Sequence, residues 1–148
     1  MNKKVRKAVR TFLFDNNSVV AIKYKLKNNL DYYDIPGGKV EEGETSEQTS
    51  IREFKEETGI QIISQEYKGK VIIEYPNMIF DFDVYIAKEY DGIPIEFEEN
   101  YSMWINIDEL LAQDKKIPSI EILKHLNVDN IKLKIYVDEN HNILNITA

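Results

Sequence analysis

The stretch from Gly37 to Ile60, GGKVEEGETSEQTSIREFKEETGI, places seven glutamates in 24 positions. Like charges crowded so closely repel one another, and such a cluster ordinarily lies on a solvated face. The spacing says more. Thr45-x-x-Gln48 reads as a capping box and Gly59 as a C-terminal stop, so the segment between them is expected to be a helix. On that helix Glu53, Glu56 and Glu57 stand at i, i+3 and i+4 and project from one side. Each such like-charged pair costs a free helix about 0.2–0.5 kcal/mol. Only Ile51 and Phe54 are large apolar anchors, so packing does not account for the pattern. A bound hard cation does, because carboxylate oxygens suit Mg²⁺ or Mn²⁺.

Outward from this segment, composition narrows the field. The chain has 148 residues and is 43% hydrophobic, enough for one domain over 1–148 with a sizeable core. Cysteine is absent, which removes disulfides, thiolate nucleophiles and cysteine zinc sites and suits a reducing compartment. The basic start is interrupted by Arg10 and Asp15 before any signal-type apolar region forms. No stretch approaches the roughly 18 apolar residues of a membrane helix, so a cytoplasmic location and no membrane partner are expected. A net charge of −7 with no basic stripe, only the short clusters Lys3–Lys7 and Lys23–Lys27, argues against nucleic acid as a partner. A polyanionic small molecule would need a divalent cation to meet such a protein.

The remaining pattern is mostly strands. Residues 5–14 and 19–25 read as two arms of a hairpin around DNNS, and 69–75 and 78–87 as two strands around Pro76-Asn77. In the latter, Met78, Phe80, Phe82, Val84 and Ile86 alternate against polar residues and are expected to form a buried face. A short helix capped by Asp108 follows Trp104-Ile105, and Pro118-Ser119 opens another carrying Ile120, Leu123 and Leu126 on one side. The tail reads as strand, turn and strand. Together these give an α/β class, an α+β arrangement in which helices cover one mixed sheet.

Written as spacing, the acidic segment is Gly38, five residues, Glu44, seven residues, then Arg52-Glu53-Phe54-Lys55-Glu56-Glu57-Thr58-Gly59-Ile60. This resembles, at every fixed position from 38 to 60, the Nudix box. A chance match in a chain of this size is on the order of one in ten million, and the EF-hand order of Asp, Asn and Gly is missing. The resemblance implies a loop–helix–loop on an α/β/α sandwich and Mg²⁺- or Mn²⁺-dependent hydrolysis of a nucleoside diphosphate linked to another group. By position it makes Glu53, Glu56 and Glu57 metal ligands, helped by the Gly37 or Gly38 carbonyl. Glu53 becomes the leading candidate to orient or deprotonate water, with Glu44 a second, and Arg52 the residue holding the carboxylates in register. A further acidic ligand is expected shortly before Trp104, with Glu99 preferred to Glu98 and Glu96 nearby.

The segment DYYDIPGGKVEEGET also resembles MutT-type members, and the layout that of the branch hydrolysing 8-oxo-dGTP-like nucleotides. That likeness makes Asp34 a base-reading residue and implies a nucleoside monophosphate and pyrophosphate as products. The acidic pair of that branch is replaced here by Ser119-Ile120 after Pro118. Tyr33 and Tyr32 are candidates to stack on a base, Lys39 and Lys23 to meet phosphates. Trp104 reads as core, and His125 and His141 as surface residues. Rival readings are another Nudix substrate, such as ADP-ribose or a dinucleoside polyphosphate, and a nucleotide sensor that does not cleave. A monomer or a homodimer is expected.

Overall fold

The computed structural model describes residues 3–25, 31–95, 100–114 and 117–148. Its strands are β1 (Lys4–Phe12), β2 (Phe14–Asp15), β3 (Ser18–Lys25), β4 (Asp31–Asp34), β5 (Gly37–Lys39), β6 (Gln61–Glu74), β7 (Met78–Asp91), β8 (Asn100–Asn106), β9 (Ile131–Val137) and β10 (Ile143–Thr147). Helix α1 (Ser46–Thr58) follows β5, α2 (Ile107–Leu111) follows β8, and a 3₁₀ helix (Pro118–His125) precedes β9. Six strands form a mixed sheet in the order β10-β9-β6-β7-β1-β5, with β1–β7 and β6–β9 parallel.

Strand alternation assigns the two faces. From β1, Thr11 reaches α1 through a 2.6 Å hydroxyl contact with Ser50. Leu13 joins Val20, Phe54, Ile60, Ile62 and Ala87 beneath that helix. Ala8 and Phe12 point the other way, into a larger core with Phe82, Val84, Leu110, Ile120 and Ile122. The sheet is therefore covered on both faces, α1 on one and the two short helices on the other, the α/β/α sandwich the sequence implied.

Several expectations change. The four strands β2, β3, β4 and β8 form a second, antiparallel sheet, so the fold has two sheets where one was read. Residues 5–14 are not one arm of a hairpin. The strand divides at Leu13: β1 pairs with β7 and β5, and only Phe14-Asp15 turns back onto Val19 and Ser18. Strand β6 begins at Gln61 rather than 69, its first half being too polar to stand out, and β7 runs on to Asp91 to pair with it. Asn106, not Asp108, caps α2, its side chain accepting from Glu109 N at 3.1 Å. The segment after Ile117 is 3₁₀ rather than α, and buries Ile120 and Ile122.

Helix α1 is as read. Thr45 Oγ1 accepts from Gln48 N at 3.1 Å while Gln48 Oε1 accepts from Thr45 N at 2.9 Å, closing the capping box. Gly59 ends it in the left-handed region at φ 78°, its N–H donating to Lys55 O.

Candidate active site

Strand β1 puts the loop and the acidic helix together. It pairs antiparallel with β5 so that Val9 faces Gly38 and Arg10 faces Gly37. The chain approaches so closely that a Cβ on Gly37 would sit 1.9 Å from Val9 O. On Gly38 it would sit 2.5–2.7 Å from the Glu53 carboxylate. Two glycines in succession are thus required by space, and their backbone lies against the carboxylates of α1.

Glu57 Oε1 accepts from Gly37 N at 2.9 Å and its Oε2 accepts from the Tyr24 hydroxyl at 3.1 Å. Burial pushes the Glu57 carboxyl up to about 7, against the pull of the Gly37 N–H and of Arg10, and Glu53 adds to the rise. Glu53, one turn back, is likewise raised by burial, opposed by Arg52. Glu56 is the outer member, with 59% of its side chain exposed.

Arg52 ties the cluster. Its Nε and Nη2 donate to Glu44 at 2.6 and 2.9 Å, and its Nη1 to Glu53 at 2.9 Å and Glu56 at 3.2 Å. Glu44 also accepts from Thr49 Oγ1 at 2.6 Å, and the Arg52 bonds hold its carboxyl down at about 2. Glu44 is thus the anionic anchor of the arginine, and the loop and helix are joined through one guanidinium.

Among the described residues no three of His, Cys, Asp and Glu form a ready metal shell. The donor chemistry nevertheless fits a hard cation. Two carboxylates withdrawn from water and raised in pKa face a backbone loop, with a third at the rim. Residues Glu96, Glu98 and Glu99, expected to complete the set, lie outside the described residues.

The other expected site residues divide. Asp34 is 8% exposed: its Oδ1 accepts from Ile35 N at 2.7 Å and Ser119 Oγ at 2.5 Å, and its Oδ2 from Arg10 Nη2 at 3.3 Å. Tyr33 accepts at its carbonyl from Ile117 N, and Lys23 Nζ lies 5.7 Å from its ring centroid. Lys39 stands exposed at the end of β5. Tyr24, Arg10 and Ser119 were not read as site residues. Arg10 is one of four basic residues of β1 and did not stand out, Tyr24 carried no signal, and the signal for Ser119 was its place where the related branch has an acidic pair.

Beside the carboxylates lies a cavity of about 110 Å³ lined by Arg10, Tyr75, Phe80, Phe82, Ile117 and Ser119. Ile117 also borders a neighbouring cleft of about 200 Å³ walled by Tyr24, Tyr32 and His141. Arg10, opposite Gly37 on β5, and Tyr24, which donates to Glu57, connect these hollows to the acidic helix.

The model of the NUDIX domain matches residues 4–126. The chain is 39% identical over 72 residues to the 8-oxo-dGTP diphosphatase of Haemophilus influenzae, 49% of this chain and 53% of that protein. Here the chain spans about half of the relative's length. Against the 8-oxo-dGTP diphosphatase of Escherichia coli it is 30% identical over 116 residues, covering 76% of this chain and 88% of that one. In fold it is similar to the crystal structure of a mutator MutT protein from Bacillus halodurans, with TM-score 0.79, 23% identity and 96% of both chains covered. With the box spacing running from Gly38 through α1 to Ile60, the carboxylates gathered at the loop and a domain match over most of its length, the chain belongs to the Nudix family.

Proposed function

We propose that the chain hydrolyses a nucleoside triphosphate, of the 8-oxo-dGTP type that its relatives' names carry, to a nucleoside monophosphate and pyrophosphate. The observation carrying this is the convergence of Glu53 and Glu57 on the Gly37-Gly38 backbone beside an aromatic-lined cavity. Members of the family generally work with a divalent metal. Glu53, Glu56, Glu57 and a carbonyl of Gly37 or Gly38 would hold Mg²⁺, or Mn²⁺ in its place. Bound there, the ion supplies charge neutralisation at the phosphates and a more acidic water.

The chain's own residues do the rest. Glu53 takes the proton of the attacking water. Its carboxyl, raised by burial, is a better base than an exposed glutamate, and such a group contributes about 10²–10⁴-fold. Water oxygen bonds to one phosphorus of the α–β bridge, the bridging P–O bond breaks, and the displaced group, pyrophosphate or the nucleoside monophosphate, departs with the electron pair. Arg52 keeps Glu53 and Glu56 aligned without itself facing substrate. Gly37 N–H and the Tyr24 hydroxyl fix Glu57.

The test is a panel of ordinary and oxidised deoxynucleoside triphosphates, ADP-ribose and a dinucleoside tetraphosphate, each with Mg²⁺ and with Mn²⁺ and with products identified. Monophosphate and pyrophosphate from a triphosphate are expected. Preferential cleavage of ADP-ribose, or binding without turnover, overturns the reading.

A further inference from the structure

Arg10 occupies an unusual place for an arginine. Its side chain is 15% exposed, its guanidinium carbon lies 4.6 Å from the Phe82 ring centroid, and it lines the cavity next to the carboxylates. Nη1 donates to Val9 O at 3.1 Å and Nη2 to Asp34 at 3.3 Å. Nε is buried with no hydrogen-bond partner among the described residues. A guanidinium has five N–H donors and cannot shed its charge; Nε has no surface a ligand could reach, and the second hydrogens of Nη1 and Nη2 are the donors left to meet one. Asp34 is already engaged: three of the four acceptor positions a carboxylate offers are filled by Arg10, Ser119 and Ile35 N.

We propose that Arg10 is the specificity-determining residue for the substrate's base, donating to the carbonyl oxygen at position 6 of a keto purine and so rejecting amino purines. Asp34 and Ser119 are positioning residues that hold the guanidinium in place. The inference rests on the nucleotide reading given above. Two features favour a base over a phosphate. The Asp34 pair neutralises Arg10, leaving directed donors rather than free positive charge. The surrounding Tyr75, Phe80 and Phe82 rings suit a flat aromatic group and would strip an anion of water without return. Adenine would set its exocyclic amine, a donor, against a donor. The oxygen at position 6 survives oxidation at C8, so this selection is independent of base damage.

The test compares binding of dIMP and dAMP, whose bases differ only in the keto or amino group at position 6 and the N1 proton, by calorimetry on the intact chain. Wild type is expected to bind dIMP about ten- to a hundred-fold more tightly, the value of a hydrogen bond from a charged donor. Arg10→Lys keeps the charge opposite Asp34 but loses the planar fork, and should bring the two affinities within about three-fold of each other. Because the readout is a ratio within one protein, general damage to the fold does not move it. Equal binding by wild type, or an unchanged ratio in Arg10→Lys, overturns the proposal. So does a loss confined to inorganic pyrophosphate, which would make Arg10 a phosphate contact. Monophosphate binding needs no turnover, so its outcome is separate from that of the hydrolysis panel.

Discussion

Glu53 sits 2.9 Å from Arg52 through one oxygen, and its carboxylate lies so near Gly38 that the loop has no room for a methyl group. Glu53→Gln keeps that shape and removes basicity and charge. It is expected to lower kcat by about 10²-fold or more while leaving thermal stability equal or slightly higher, since burial already opposes the charge. Steady-state kinetics with a parallel melt will check this, and retained turnover would remove Glu53 from the role of base. Gly38→Ala tests the same contact from the loop side. A Cβ 2.5–2.7 Å from the carboxylate must displace it, so turnover should fall at least ten-fold though no charged group has changed. Arg52, Glu53, Glu56 and Glu57 were legible because a fixed spacing on one helix converts directly into neighbouring side chains, whereas Glu44 and the glycines came only with the motif. Asp34 came only through the resemblance, Ser119 only as the place of a missing acidic pair, and neither Arg10 nor the bond between Asp34 and Ser119 was legible at all. The hydroxyl that anchors Asp34 lies 85 residues away along the chain, and no local pattern joins them.

At the level of the element, α1 was legible end to end because each of its boundaries has its own chemistry. Thr45 and Gln48 close the start, Gly59 the finish, and Phe54 at 1% exposure seats the helix on the sheet. Thr45→Ala removes one half of the capping box and is expected to cost about 1 kcal/mol, read as a lower melting temperature with turnover at low temperature little changed. A larger fall in turnover than in stability would mean that the cap also sets the angle at which Glu44 meets Arg52. Strands were read less well. Apolar alternation marks a strand but not its partner, so the break at Leu13, where one run of sequence passes from the six-stranded sheet to the four-stranded one, left no sign. The polar first half of β6 was missed for a related reason: residues 61–68 are held by pairing with the far end of β7 and by Gln65, which accepts from Ser50 at 2.7 Å, rather than by a run of buried side chains. In the 3₁₀ helix, Pro118 was read correctly as a start and Ile120 as an inward residue, but its buried companion is Ile122, while Leu123 and Leu126 are only half-buried.

Across the whole molecule, the arrangement trades stability for a charged site, and pH should expose the trade. The Glu57 carboxyl is raised from 4.5 to about 7 in the fold. Below about pH 4.5 it is protonated folded and unfolded alike, and costs nothing. As pH rises toward 7 the unfolded chain releases its proton first, so the fold loses up to about 3 kcal/mol across that window. Glu53 shifts in the same direction. Glu44 runs the opposite way, with its carboxyl near 2, so its contribution is complete above about 4.5 and disappears only as pH falls toward 2. On the proposed reading a divalent cation competes with the proton for Glu57 and Glu53, and its linkage to folding grows as they ionise, by about 2.7 kcal/mol at a hundred times its dissociation constant. Melts of the cation-free protein should therefore show stability falling between pH 5 and 8. Millimolar Mg²⁺ should restore it strongly at pH 8 and hardly at pH 5, and Glu57→Gln should flatten both responses. A magnesium shift of equal size at both pH values would show that the cation binds elsewhere, and that the buried carboxylates of α1 are neutralised from within the protein.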